Sequence, residues 1–143
     1  MRNEFNELFL ELIGNVHQIT FEVRRDLKPE YLTQIQYNIM EYLFMHDGVS
    51  MGPLAECLYL SLPNASREVK KLVQLELLYK KSSESDKRVT NIFLTDTGRQ
   101  LMTESFSKIM TGINERYSDL TDDELKTLAQ CIRLLKDKLF DDA

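Results

Sequence analysis

Residues 53 to 99, PLAECLYLSLPNASREVKKLVQLELLYKKSSESDKRVTNIFLTDTGR, constrain the fold more than any other stretch of the chain. Leu54, Ala55 and Leu58 form a short apolar stripe, and a break follows over Tyr59 to Leu62. A second helix is expected from there, with Ser61 as its N-cap and Pro63 in the first turn, where a missing N–H costs little. At about 100° per residue, Leu62, Ala65, Val69, Leu72 and Val73 share one side. Pro63, Asn64, Arg67, Lys70, Lys71 and Gln74 share the other, with Glu68 at the border. One side is apolar; the other is basic and hydrogen-bonding.

Two strands are expected next, Leu77 to Ser82 and Val89 to Leu94, joined by the polar loop SSESDKR. Helix, turn, helix and a hairpin with a charged tip make a winged helix-turn-helix, a unit that places its second helix in the major groove of DNA. A small α/β domain with a solvated charged face would share the composition. The order of elements favours the DNA reader.

The flanks extend the pattern. Phe5, Leu8, Phe9, Leu12, Ile13, Val16, Ile19, Thr20 and Val23 recur at helical spacing over residues 3 to 27, interrupted by Gly14 and ended by Lys28-Pro29. Thr33-x-x-Gln36 is a capping box opening a helix with Ile35, Ile39, Met40, Leu43 and Phe44 inward. His46-Asp47-Gly48 closes it, with Gly48 in a left-handed cap. Val49 can add a third strand beside the wing, and Ser50 caps the helix carrying Leu54 and Leu58. After the wing, Thr95 caps a helix bearing Leu101, Met102, Phe106, Ile109, Met110, Ile113 and Tyr117, and Ser118-Asp119 break it. Thr121-x-x-Glu124 is a second capping box. Leu125, Leu128, Ile132, Leu135 and Leu139 then alternate at three and four, a heptad seam with Leu134 and Phe140 beside it. The winged reader alone cannot cover three further amphipathic helices, so a second copy is the expected partner.

This stretch resembles the multiple-antibiotic-resistance regulator (MarR) family of bacterial transcription factors. The resemblance is carried by Leu54-Ala55 with Leu58, by Ser61-x-Pro63-x-Ala65-Ser66-Arg67-x-Val69, by Asp86-x-Arg88, and most specifically by Leu94-Thr95-x-x-Gly98 after that wing. The flanking helices match the family's layout. Two positions depart from it. Glu76 stands where the family has a Gly before Leu77-Leu78, so a different helix ending is expected. The wing reads Lys87-Arg88 rather than two arginines.

The resemblance implies a mainly α fold with a small β wing. Residues 33–99 would form the winged helix-turn-helix, and 1–28 and 100–143 the dimerisation helices, all within one domain, 1–143. It implies a homodimeric repressor of transcription that binds a pseudo-palindromic duplex and is released by a small-molecule effector. Phe9, Ile13, Met40 and Phe44 could line an effector cleft or serve as core. On the expected DNA surface Asn64, Ser66 and Arg67 lie near the start of the reading helix, where side chains reach base edges. Arg67 suits guanine and Asn64 adenine. Lys70, Lys71 and Lys80 suit phosphates; Lys87 lies in the wing; Arg88 would enter the minor groove, braced by Asp86. A winged helix that binds only protein is the alternative.

Charge and composition are consistent with this. The 143 residues are one domain's worth and carry a net charge of −5. Residues 61 to 99 hold eight lysines and arginines against five acids, so the remainder is strongly acidic. A basic reader on an acidic body attracts phosphates at one surface only. No run of about 18 apolar residues and no secretory leader pattern occurs, so a cytoplasmic protein is expected. Cys57 and Cys131 are expected to be free thiols buried as small hydrophobes. A peroxide-sensing cysteine on the first helix is not supported, since none precedes position 57. His17 with Glu22 or Glu41 is a weak metal candidate. No phosphate loop, nucleophile elbow or clustered metal ligands are present in the sequence, so no catalytic residue, cofactor or enzyme activity is expected.

Overall fold

In the computed structural model, which describes residues 1–140, the elements follow the order α1 (Arg2–Arg24), α2 (Gln34–Met45), β1 (Val49–Ser50), α3 (Met51–Cys57), α4 (Leu62–Gln74), β2 (Leu78–Ser82), β3 (Thr90–Leu94), α5 (Asp96–Arg116) and α6 (Asp122–Leu139). The chain divides inside α5 into a first unit, Met1–Ile109, and a second that begins at Met110. The expected mainly α winged helix-turn-helix with a small sheet is the fold observed.

Helix α2 starts where its capping box lies. The Thr33 hydroxyl accepts the Gln36 N–H, and the Gln36 side chain accepts the Thr33 N–H. The helix buries Gln36, Tyr37, Ile39, Met40 and Leu43. Ile35, expected inward, is 43 % exposed. It sits in the first turn, off the stripe centred on Gln36, Met40 and Leu43. The core of the first unit gathers Ile39, Met40 and Leu43 with Leu54, Val69, Leu72, Leu78, Ile92 and Met102. It therefore lies between α2, α3, α4, the sheet and the start of α5.

The three strands are antiparallel in the order β1-β3-β2. Val49 pairs with Ile92, the third strand anticipated beside the wing, and Leu78 pairs with Leu94. Gly48 has φ +69, and a Cβ there would meet Phe93 Cε1 at 2.5 Å. Glycine is favoured there by the left-handed turn, and a side chain would also require the Phe93 ring to shift. Ser50 occupies the N-cap of α3, but its side chain makes no capping bond, contrary to expectation.

Both helices of the reader end in the same way. At the end of α3 the Leu60 N–H reaches the Ala55 carbonyl (2.8 Å) and the Tyr59 N–H the Glu56 carbonyl (3.2 Å). At the end of α4 the Leu77 N–H reaches Leu72 (3.0 Å) and the Glu76 N–H reaches Val73 (3.0 Å). This is the Schellman pattern, which puts the residue after the cap in left-handed geometry. Tyr59 (φ +53) and Glu76 (φ +58) take that conformation without being glycine. The different ending expected at Glu76 is therefore corrected: the helix closes as a glycine would close it, and the glutamate bears the strain. Glu76→Gly should raise stability by about 1 kcal/mol, the usual cost of a side chain in this region, less any gain in unfolded-state entropy. Denaturant midpoints of the two proteins check this.

Helix α1 ends at Arg24, ahead of Lys28-Pro29, and has no buried residue. Neither has α6. Its N-terminus is closed by the second capping box, in which Thr121 and Glu124 exchange backbone-to-side-chain bonds. Those donors hold the Glu124 carboxyl below its usual range. Both cysteines are free but exposed, not buried. Cys57 is the last residue of α3, beyond the buried Leu54-Ala55 pair, and Cys131 lies on a helix with no buried face.

Candidate nucleic-acid interface

Helix α4 carries the first half of the candidate surface. Its start is defined by Ser61, whose Oγ accepts the Asn64 N–H at 3.3 Å, with Pro63 in the first turn. Ala65, Val69 and Leu72 point into the core. Asn64, Ser66, Arg67, Lys71 and Gln74 lie on the other side with Lys70, and the basic members of that set reach solvent. The helix is thus fixed by its apolar side and presents the polar one. Leu62, assigned to the core side by periodicity, is instead 56 % exposed. As the first helical residue it precedes the part of α4 that packs on the core. Tyr59 in the preceding turn is 97 % exposed.

Glu68 occupies the border between the two sides, and its carboxylate is engaged twice. Oε1 accepts from Lys71 Nζ at 3.0 Å, and Oε2 accepts from Gln36 Nε2 of α2 at 2.8 Å. The Lys71 hydrogen bond is the main cause holding its carboxyl below the usual range. The link to Gln36 was not legible in the sequence. Its only trace was a capping-box glutamine whose amide nitrogen had no assigned partner.

The β2–β3 hairpin carries the second half. Lys80 projects from β2 and is exposed, as are Asp86, Lys87 and Arg88 at the tip. The tip is closed by Ser83 N–H to the Val89 carbonyl (2.8 Å) and Val89 N–H to the Asp86 carbonyl (3.0 Å). The Asp86 carboxylate accepts the backbone N–H of Arg88 at 3.0 Å. That bond shapes the loop as an Asx-type turn.

A joint behind the wing sets the hairpin on the helices. The Thr95 hydroxyl donates to the Glu76 carbonyl (2.7 Å) and accepts the Gly98 N–H (3.0 Å), while Thr95 N–H reaches the Leu77 carbonyl (3.0 Å). A Cβ on Gly98 would lie 2.2 Å from that Leu77 oxygen. The Leu-Thr-x-x-Gly pattern thus has a physical content: threonine stitches the end of α4 to the start of α5, and glycine lets them touch. Arg99 Nη2 adds an ion pair to Asp47 at 3.2 Å.

The first unit also has a cleft of about 450 Å³ whose lining includes Arg24, Glu41, Tyr42, Met45, His46 and Phe106. Arg24 pairs with Glu41 Oε2 at 3.1 Å, whereas Glu41 Oε1 is buried without a partner. Burial raises the Glu41 carboxyl above its usual range despite Arg24. Of the residues anticipated for such a cleft, Met40 is core, Phe44 stacks on Phe106 at 4.8 Å, Phe9 stacks on Phe5 at 5.7 Å, and Ile13 is exposed; none lines it. Among the described residues no group of three His, Cys, Asp or Glu is placed to hold a metal, and no helix is long and apolar enough to cross a membrane.

Comparison with known proteins places this geometry. The MarR family model matches residues 32–89, the span from the end of the α1–α2 connection to the wing tip. The regulator MhqR of Bacillus subtilis is 25 % identical over 130 residues, covering 91 % of this chain and 88 % of MhqR. The regulator TcaR of Staphylococcus aureus is 26 % identical over 135 residues, covering 92 % and 89 %. Over residues 32–89 the chain is similar to the MarR family. A MarR-family protein from Bacillus stearothermophilus has the same fold over 97 % of both chains, with a TM-score of 0.82 at 19 % identity. These similarities support a DNA-binding transcription regulator.

Proposed function

We propose that the protein is a cytoplasmic, homodimeric repressor that binds a pseudo-palindromic DNA operator and is released by a small-molecule effector. The observation that carries the reading is the solvent-facing basic side of α4 beside a basic wing tip, both mounted on a buried core. Asn64, Ser66 and Arg67 read base edges from the first turns of α4, and Lys70 and Lys80 meet phosphates. Lys71 joins them to the extent that its pair with Glu68 allows. Lys87 and Arg88 approach the minor groove from the wing.

Support for a dimer comes from apolar side chains that the single chain leaves in water, among them Leu8, Phe21 and Val16 on α1 and Leu128, Ile132 and Leu139 on α6. Such faces mark association surfaces. A two-fold dimer would present two copies of α4 to half-sites about one helical turn apart, which is the source of operator symmetry. The cleft beside Glu41 and Phe106 is the candidate effector site: it is partly apolar, and one buried carboxylate oxygen lacks a donor.

Selection of bound fragments from genomic DNA tests the function. Enrichment of inverted repeats is the expected result; no enrichment over input overturns the reading. On the recovered fragment, Arg88→Ala should weaken binding by about 1–3 kcal/mol and lower the salt slope by roughly one charge equivalent. Asp86→Ala removes a negative charge near DNA but also the acceptor that shapes the Arg88 backbone. The loop holds the arginine, so weaker binding is expected here too. Operator titrations at two salt concentrations decide it, and an Asp86→Ala protein that binds as well as the parent would refute the bracing role.

A further inference from the structure

We infer that Glu68 is a positioning residue of the DNA-reading surface: it ties α4 to α2 through Gln36 and keeps Lys71 in an ion pair that withholds one positive charge from the phosphates. This rests on the DNA-binding reading of α4.

Gln36 is only 5 % exposed, and both ends of its amide are committed. Oε1 accepts the Thr33 N–H (3.0 Å) and Nε2 donates to Glu68 Oε2 (2.8 Å). A backbone donor at one end and a carboxylate at the other leave a single orientation for the amide. The chain of bonds runs from Thr33, ahead of α2, through Gln36 and Glu68 to Lys71 on the exposed side of α4.

An exposed ion pair ordinarily contributes little, because both side chains give up freedom to form it. This pair differs in one partner. The Glu68 side chain is 15 % exposed against 49 % for Lys71, and Gln36 already holds it in place. Only the lysine has to be ordered. A phosphate that drew Lys71 away would also leave the Glu68 carboxylate uncompensated on a surface facing polyanionic DNA. Arg67 and Lys70 lie on the same side of the helix and have no such partner in the relay. Glu68 therefore favours approach of DNA through the first turns of α4, where the base-reading side chains stand, and lowers attraction to arbitrary duplex.

A four-protein comparison tests this: parent, Lys71→Met, Glu68→Gln and the double variant, each titrated with a random-sequence duplex and with the fragment recovered from genomic selection. The readout is the slope of log affinity against log salt. Lys71→Met should weaken binding and lower the slope by clearly less than about 0.9 in the parent, where the pair already withholds the charge, and lower it by about 0.9 in the Glu68→Gln background. Glu68→Gln should steepen the slope by about 0.9, the value of one released counterion, and tighten binding to the random duplex more than to the selected fragment. The double variant should return to the parental slope. If Lys71→Met lowers the parental slope by about 0.9, Lys71 is an ordinary phosphate contact and the inference is overturned. It is equally overturned if Glu68→Gln lowers the melting temperature yet leaves the slope unchanged, since the role is then merely structural. A parent that binds neither duplex in a salt-dependent way would instead remove the DNA reading on which the inference stands.

Discussion

Gly98→Ala should cost about 3 kcal/mol of stability, at the upper end of what overpacking one methyl group does in a packed interior. The added carbon would sit 2.2 Å from the Leu77 carbonyl oxygen and 3.2 Å from its carbon. Neither is the far end of a flexible side chain. Both belong to the backbone where α4 hands over to β2, held by bonds from Thr95 and into Leu72. Relief therefore requires moving α5 away from that corner, which breaks the Thr95 stitch to Glu76 and Leu77. Thermal or denaturant unfolding of the purified variant measures the loss. A Gly98→Ala protein as stable as the parent would show that the corner is far softer than its bonding indicates.

The second large effect concerns assembly. Removal of residues 121–143 deletes α6, whose exposed Leu128, Ile132 and Leu139 form one edge of the proposed dimer surface. The product should be monomeric or aggregated, and its affinity for the selected fragment should fall by at least about 100-fold, because two linked readers gain that much over one. Sedimentation and titration together give the answer. A soluble truncated monomer that still binds tightly would sink the dimer reading.

The elements of the fold were legible because they are local. Capping boxes at Thr33 and Thr121, the Ser61 cap and the alternation of apolar residues all depend on neighbours within a few positions, and each marks a helix start in the structure. Periodicity failed at first turns. Ile35 and Leu62 have core-compatible spacing but sit where their helices have not yet reached the core. Residue type misled at Glu76, because the ending of α4 is set by the bonds of Leu77 and Glu76 to Leu72 and Val73, which any backbone can make at a cost. The candidate DNA side of α4 and the basic wing tip were likewise readable from charge and spacing. The pairing of Gln36 with Glu68, 32 residues apart, was not, since polar contacts across a tertiary interface leave no period in the sequence. Asp86 was assigned Arg88 as its neighbour, and the bond between them is made to the Arg88 backbone N–H.

Helix α1 spans 23 residues and buries none of them. Beyond the Arg24–Glu41 pair and a few half-buried side chains, little but intrinsic propensity sustains it, and propensity alone is marginal in water. Within the proposed dimer, its order becomes a function of how many copies of the protein are present, as for any protomer whose folding is completed by a partner. Dilution would then act on structure and not merely on occupancy. In such a dimer, low copy number would cost the regulator the order of its N-terminal helix and its second reader together, so DNA binding should switch on steeply with synthesis rather than in simple proportion to it.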